Sequence, residues 1–142
     1  MRADLDKAIE LLSESEYTCV LCKDDEVITS AEHGVKPLIE WLESDAEFGG
    51  FCAADKVVGK AAASLYVLLG VSAVYAPVMS NLAIETLSKH GIEPFYDLSV
   101  EAIRNRAGND FCPMEKAVID IDDPEAALEA IKLKIKAMAM SS

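Results

Sequence analysis

The sequence predicts an α/β fold, a three-layer α/β/α sandwich built on a mixed sheet. The first observation is a long apolar stretch in the middle of the chain, which indicates a buried helix over 53–69. The second is a strand–turn–strand pattern near the start, and the third is the alternation of helical and strand-like segments that follows. With 142 residues, the whole chain (1–142) fits a single domain.

The segments before the central helix are predicted from hydrophobic periodicity and turn residues. They are a helix over 3–15, two strands over 17–23 and 26–30, and a short helix over 35–43. The acidic pair Asp24 and Asp25 separates the two strands, so a hairpin is expected. Pro37 lies near the start of the second helix, where proline is tolerated.

The segments after the central helix alternate in type. They are strands over 72–78, 92–97 and 117–121, and helices over 80–90, 100–106 and 124–138, with a loop over 107–115. Ser80 and Ser99 are suited to cap the first two of these helices, and Asp123 followed by Pro124 is a start signal for the last.

Charge and composition exclude several classes of protein. The net charge is −12, which argues against a nucleic-acid partner because phosphates require clustered lysine and arginine side chains. No apolar run approaches the roughly 20 residues that cross a bilayer, and the start of the chain does not read as a signal peptide. We therefore expect a cytoplasmic protein with no membrane partner.

The four cysteines are expected to be free thiols. Cys19 and Cys22 have a CxxC spacing, but they fall in a predicted strand, where positions three apart face opposite sides of the sheet. Buried core thiols are therefore favoured over a shared metal ion.

A first candidate site consists of Asp55, Lys56, Gly59 and Lys60, at the predicted start of the central helix. Lysines four residues apart lie on one side of a helix, and the free N–H groups of its first turn attract anions. Gly59 costs helix stability relative to alanine, which suggests that another group approaches the backbone closely. The pattern favours an anion or phosphate pocket; the alternative is an ordinary capped helix start with two surface lysines.

A second candidate site lies around the predicted loop that follows. It combines polar and charged residues, namely Arg104, Arg106, Asn109, Asp110, Cys112 and Glu115. Arginine suits bidentate contacts with phosphate or carboxylate. Cys112 could act as a nucleophile if a nearby cation favours the thiolate, although a buried thiol is the more frequent role of a free cysteine. Asn81, near the start of another helix, could contact the polar edge of a ligand or simply cap that helix.

The order of elements, together with the stretches DKVVGKAAA and FCPMEKA, resembles a small uncharacterised bacterial family. That family is a domain of unknown function with a cytidine deaminase-like fold, and the likeness spans residues 8–130.

True zinc deaminases differ from this chain at the positions of their metal ligands. Those enzymes place His or Cys, then Glu two residues later, at the start of the central helix, and P-C-x-x-C at the start of the next. This chain has ADK at 54–56, and it keeps Pro77 but has Val78 and Asn81 where the two cysteines would lie. The resemblance therefore implies the fold without zinc.

These observations lead to a functional expectation of a binding module for a nucleotide or nucleotide-derived small molecule, without metal or other cofactor. The ligand would lie at the N-termini of the central helices. Lys56, Lys60 and Arg104 would hold a phosphate, while Asp55 and Asn81 would orient the ligand. Gly59 and Arg106 complete the expected ligand-binding residues.

Two alternatives stay open, so the sequence does not decide whether the protein is an enzyme. The first is a metal-free enzyme that uses Cys112 as a nucleophile on a nucleotide-like or acyl substrate. The second is a homo-oligomeric scaffold with a vestigial pocket, suggested by Met138 and Met140 in the last helix and by Phe48 and Phe51, which are expected on the surface.

Overall fold

The computed structural model describes residues 2–32, 34–44, 46–103 and 112–140. The helices are α1 (Arg2–Glu14), α2 (Lys36–Glu43), α3 (Lys60–Leu69), α4 (Asn81–Lys89), α5 (Pro113–Val118) and α6 (Pro124–Met140). The strands are β1 (Cys19–Lys23), β2 (Glu26–Ser30), β3 (Cys52–Asp55), β4 (Val57–Val58), β5 (Ala73–Ser80) and β6 (Glu93–Val100). None of the helices in the described ranges combines the length and apolarity needed to cross a membrane.

The six strands form one mixed sheet between two layers of helices. β1 pairs antiparallel with β2 on one side and with β3 on the other. β3, β4 and β6 run parallel to β5; β3 and β4 lie along one edge of β5, and β6 lies along the other. α1 packs on one face, while α3 lies in the opposite layer in contact with α2, α4, α5 and α6. The predicted three-layer sandwich on a mixed sheet is confirmed.

Successive strand side chains alternate between two cores. Leu21 and Ala53 pack in the larger core, together with α3, whereas Cys22 and Ala54 pack against α1. Cys19 belongs to the larger core, so the predicted opposite orientation of the CxxC pair is confirmed. All four cysteines are free thiols.

Lys56 interrupts the strand pairing between β3 and β4. Both short strands keep one register along β5, and that register places Lys56 opposite Pro77. Proline has no N–H to donate, and pairing is missing at Pro77 on both edges of β5. Beyond the break the alternation shifts by one residue, because Val58 packs in the same core as Ala53. Asp55 therefore lies at the end of β3, just before the start of α3.

The central helix begins later than the sequence predicted. Residues 52–55 and 57–58 are strands, and α3 starts at Lys60. An alanine-rich apolar segment is compatible with a helix, but pairing with β1 and β5 holds this one extended. Pro77 and Val78 lie inside β5, as the predicted strand over 72–78 places them, and α4 begins at Asn81, so the positions compared with the deaminase P-C-x-x-C motif mostly precede the helix.

Two predictions for the last third of the chain are wrong. Ser99 and Val100 end β6 and do not start a helix; residues 104–106 lie outside the described ranges. The predicted strand over 117–121 is replaced by the end of α5 and a turn. Pro113 in the first turn is a helix-start signal that outweighs the strand propensity of the residues that follow.

The surface position expected for Phe48 and Phe51 is also wrong. Both side chains are buried in the larger core, where their rings lie edge to face with centroids 5.6 Å apart. Trp41 packs against Phe48 from α2, and this aromatic group accounts for the burial.

The predicted helix starts are confirmed at α4 and α6. The Ser80 hydroxyl accepts a hydrogen bond from Ala83 N, and Asp123 Oδ2 accepts one from Ala126 N. The hairpin is confirmed as well, with Asp24 in the left-handed region at φ +53°.

Candidate functional site

A cavity of about 470 Å³ lies where β3 and β4 end and α3 begins. Six residues of its wall carry polar or titratable side chains, namely Glu16, Thr18, Asp55, Lys56, Cys112 and Glu115. The remaining wall is formed by apolar side chains and two glycines. This cavity, here termed the Asp55 pocket, brings three residues of the first candidate site together with Cys112 and Glu115 of the second.

Asp55 is firmly anchored in the pocket wall. Tyr66 Oη donates a hydrogen bond to Asp55 Oδ2 at 2.7 Å, while the Lys56 N–H donates to Thr18 O at 3.2 Å. Burial raises the pKa of Asp55 to about 6, and the Tyr66 hydroxyl and the nearby backbone N–H groups of Lys56 and Val57 oppose the shift. The carboxyl group therefore changes protonation state near neutral pH, and it can offer a ligand either an acceptor alone or a donor and an acceptor.

A buried thiol contacts the tyrosine that donates to this carboxyl group. Cys19 Sγ lies 2.9 Å from Tyr66 Oη. Because the tyrosine hydroxyl donates its proton to Asp55, the Cys19 thiol is the donor to Tyr66. Burial and the charge of Asp55 raise the pKa of both Tyr66 and Cys19, so both stay protonated. Sequence reasoning missed this chain of groups; the available signal was one tyrosine inside an otherwise aliphatic buried helix, since a buried hydroxyl needs a partner.

Glu115 of α5 caps the first turn of α3. Lys60 N and Ala61 N donate to Glu115 Oε1 and Oε2 at 2.7 and 2.9 Å. A Cβ atom on Gly59 would overlap the Glu115 carboxyl group. Gly59 has φ −103° and ψ −175°, an extended conformation open to any residue, so glycine is required here for space. The close approach predicted at Gly59 is thus made by a side chain of this protein, and burial raises the pKa of that glutamate.

The two lysines of the first candidate site point to different places. The Lys60 side chain is 6% exposed, and its Nζ donates to Ile119 O at 3.0 Å and pairs with Asp122 Oδ1 at 3.2 Å. Lys56 lies in the break between β3 and β4, and its Nζ donates to Leu12 O at 3.3 Å. The expectation that both lysines lie on one side of a helix start is therefore wrong, because the helix begins only after Lys56.

The other candidate residues divide into two groups. Cys112 is partly exposed in the pocket wall, whereas Asn81 is exposed at the start of α4 and does not line the Asp55 pocket. Arg104, Arg106, Asn109 and Asp110 lie outside the described residues. In the part of the chain that is described, no three His, Cys, Asp or Glu side chains are grouped so that they could hold a metal ion.

Comparison with known proteins identifies the family. A crystal structure of a DUF1893 family protein, TM1506 from Thermotoga maritima, matches this chain with a TM-score of 0.83 and 27% sequence identity, over 96% of this chain and 91% of that one. No curated protein matches. The model of the family described as a domain of unknown function, DUF1893, matches residues 7–135. The chain therefore belongs to the DUF1893 family.

Proposed function

We propose that the protein binds a nucleotide-derived small molecule, with its heterocyclic base in the Asp55 pocket, and that binding needs no zinc or other cofactor. The cavity volume of about 470 Å³ falls in the range of about 300–1,000 Å³ that is typical of small-molecule sites. The observation that carries the proposal is the anchoring of Asp55. The Tyr66 hydroxyl holds its carboxyl group in the pocket wall, where it can pair with the N–H edge of a base.

The charges around the pocket favour a base or nucleoside over a polyphosphate. Lys56 is the one basic side chain in the described wall, against the carboxyl groups of Glu16, Asp55 and Glu115. Glu115 also occupies the two N–H groups of α3 that would otherwise attract an anion. A phosphate would therefore have to lie at the pocket rim, near Lys56.

Isothermal titration calorimetry with bases, nucleosides and nucleoside monophosphates tests this proposal. We expect binding by wild type, and an affinity about tenfold or more lower in Asp55→Asn, because a hydrogen bond to a charged group contributes about 1.5–3 kcal/mol. Asp97→Asn is the matched control, since Asp97 also accepts a 2.7 Å hydrogen bond from a tyrosine, Tyr75, but lies outside the pocket. No binding at millimolar ligand, or equal losses in both variants, would overturn the proposal.

We also infer that the fold is related to that of the cytidine deaminases and that the protein does not carry out zinc-dependent deamination. Val78 and Asn81 cannot replace thiolate ligands. The residues at the observed starts of α3 and α4, Lys60 and Asn81, do not supply zinc ligands either.

A cytoplasmic location and the absence of a nucleic-acid partner are also proposed. The four free thiols, three of them buried, are typical of a reducing compartment. The net charge of −12 would repel the phosphates of DNA or RNA.

Thiol catalysis is a second candidate function, because Cys112 lines the same cavity as Lys56. The Cys112 sulfur would attack the acyl carbon of a ligand held in the pocket, and the bond from that carbon to its leaving group would break as the thioester forms. Labelling with iodoacetamide at neutral pH tests this idea. Cys112 should react faster than a free thiol in a peptide, and the Cys112→Ser variant should lose the label. A rate no higher than that of the peptide rejects it.

A further inference from the structure

A second cavity, of about 480 Å³, lies between α2 and the second half of α6. Its floor includes Ile39, Met114 and Ile135. Its edges carry Lys36, Glu40 and Glu43 on α2 and Lys132 and Lys136 on α6. This surface is termed the α2–α6 groove. It is apolar in the middle and charged along its two edges, with two carboxylates and one lysine on α2 and only lysines on α6.

The end of α6 exposes an unusual amount of apolar surface beside this groove. Ile131 is fully buried, but beyond it the exposed fractions reach 67% for Leu133, 43% for Met138 and 78% for Met140. Ile135, in the groove itself, is 36% exposed. Leu133 and Met140 lie on one face of α6 and Met138 on another. Exposed apolar side chains in this number mark an interaction surface.

Each charged edge of the groove carries one charged side chain that has no salt-bridge partner among the described residues. Lys132 pairs with Glu43 at 3.3 Å. Within the described residues, however, Lys136 has no salt-bridge partner. On the α2 edge, Lys36 pairs with Glu32 at 3.6 Å, and Glu40 has no salt-bridge partner within the described residues. The acidic edge therefore has room for another cation, and the basic edge for another carboxylate.

We propose that the α2–α6 groove is covered by a second copy of this chain, related to the first by a two-fold axis. A two-fold interface uses the same patch on both partners, so the patch must be complementary to itself. Rotation about an axis through the groove floor exchanges the two edges, and the partner's Lys136 then faces Glu40. The same rotation packs the exposed apolar end of each α6 on the groove of the other copy.

Charge complementarity supports this occupant over an unrelated protein. The chain has 25 acidic and 13 basic residues, so two copies repel each other over most of their surface. The end of α6 is the exception, because three lysines and no acidic residue follow Glu129. The basic edge thus matches a surface that every copy of the chain itself carries on α2.

Sedimentation velocity over a concentration series tests the proposal. We expect a dimer of wild type, and a dissociation constant raised about tenfold or more in Lys136→Glu and in Glu40→Lys, since each change places like charges together at both symmetry-related contacts. A mixture of these two variants should associate again, because both contacts of the mixed dimer then join opposite charges. Lys7→Glu is the control; it makes the same change in net charge on α1, on the opposite face of the sheet.

The proposal fails if wild type stays monomeric up to its solubility limit, as it would if the groove binds a different protein. It also fails if Lys136→Glu dimerises as well as Lys7→Glu, or if the mixture does not recover association. Circular dichroism of each variant verifies the fold. Ile135→Asp, in the apolar floor, should abolish the dimer; should this variant not fold, the exchange of charges alone decides.

Discussion

Replacing Gly59 by alanine should destabilise the protein through one contact, the overlap of the new Cβ atom with the Glu115 carboxyl group. The overlap would push Glu115 away from Lys60 N and Ala61 N, which it contacts at 2.7 and 2.9 Å. Hydrogen bonds to a charged group contribute about 1.5–3 kcal/mol each, and loss of a helix cap costs about 0.5–2 kcal/mol. Because Glu115 is partly buried and loses hydration in this position, we expect a net cost of about 2–3 kcal/mol.

A double-mutant cycle isolates this contact. Glu115→Ala alone should cost about 2 kcal/mol, and Gly59→Ala should add only a few tenths once the carboxyl group is gone, which gives a coupling energy of about 2 kcal/mol. Gly49→Ala is the matched control. Gly49 has open space around its α-carbon and no positive φ, so its replacement should change stability by no more than about 0.5 kcal/mol.

Urea unfolding followed by circular dichroism measures these values at one pH and ionic strength. Additive costs of Gly59→Ala and Glu115→Ala would refute the steric reasoning, because the penalty of the alanine would then arise elsewhere. A rise in stability on Gly59→Ala would refute it as well, since alanine would then act only by restricting the unfolded chain.

Three further predictions concern buried polar groups of the site. In the folded protein the pKa of Asp55 is about 6, above its ordinary 3.8, so the protonated carboxyl group favours the folded state. This contribution to stability is complete below about pH 4 and is lost as the pH rises through 6. Urea unfolding below about pH 4 and above about pH 6 should show wild type losing up to about 3 kcal/mol relative to Asp55→Asn. Tyr66→Phe removes a donor to the Asp55 carboxylate and should raise the Asp55 pKa further, as measured by carbon NMR titration; an unchanged pKa would contradict the hydrogen bond. Lys60→Met keeps the buried stem but loses both Nζ contacts, and it should lower the free energy of unfolding by about 1–3 kcal/mol, as measured by thermal unfolding. Asp122→Asn, at a site that is 81% exposed, should lower it by less than about 1 kcal/mol. Equal losses would argue against a role for burial.

The layer arrangement could be predicted from the sequence because periodicity and turn residues are local signals. The hairpin at Asp24 and the caps at Ser80 and Asp123 depend on residues within one turn of each other. The start of the central helix could not be predicted in this way. The segment from 52 to 58 is extended because β1 and β5 pair with it, and those partners are distant in sequence.

The candidate site was predicted in part for a similar reason. Asp55, Gly59 and Cys112 do line one cavity, and the close contact predicted at Gly59 is present. The identity of the approaching group depends on the position of α5, and the sequence pattern suggested a strand there instead. The part played by Tyr66 depends on which turn of α3 faces the end of β3, which periodicity alone does not give.

The missing N–H of Pro77 has a consequence for a residue in the adjacent strand. Pro77 offers no donor to the strand beside it, so the ladder along β5 breaks opposite Lys56, and β3 ends at Asp55. One cyclic side chain in β5, which does not line the cavity itself, thus helps to decide where the strand that carries the main acidic group of the cavity ends. Variation at position 77 is therefore a route by which relatives with the same wall residues could differ in ligand affinity.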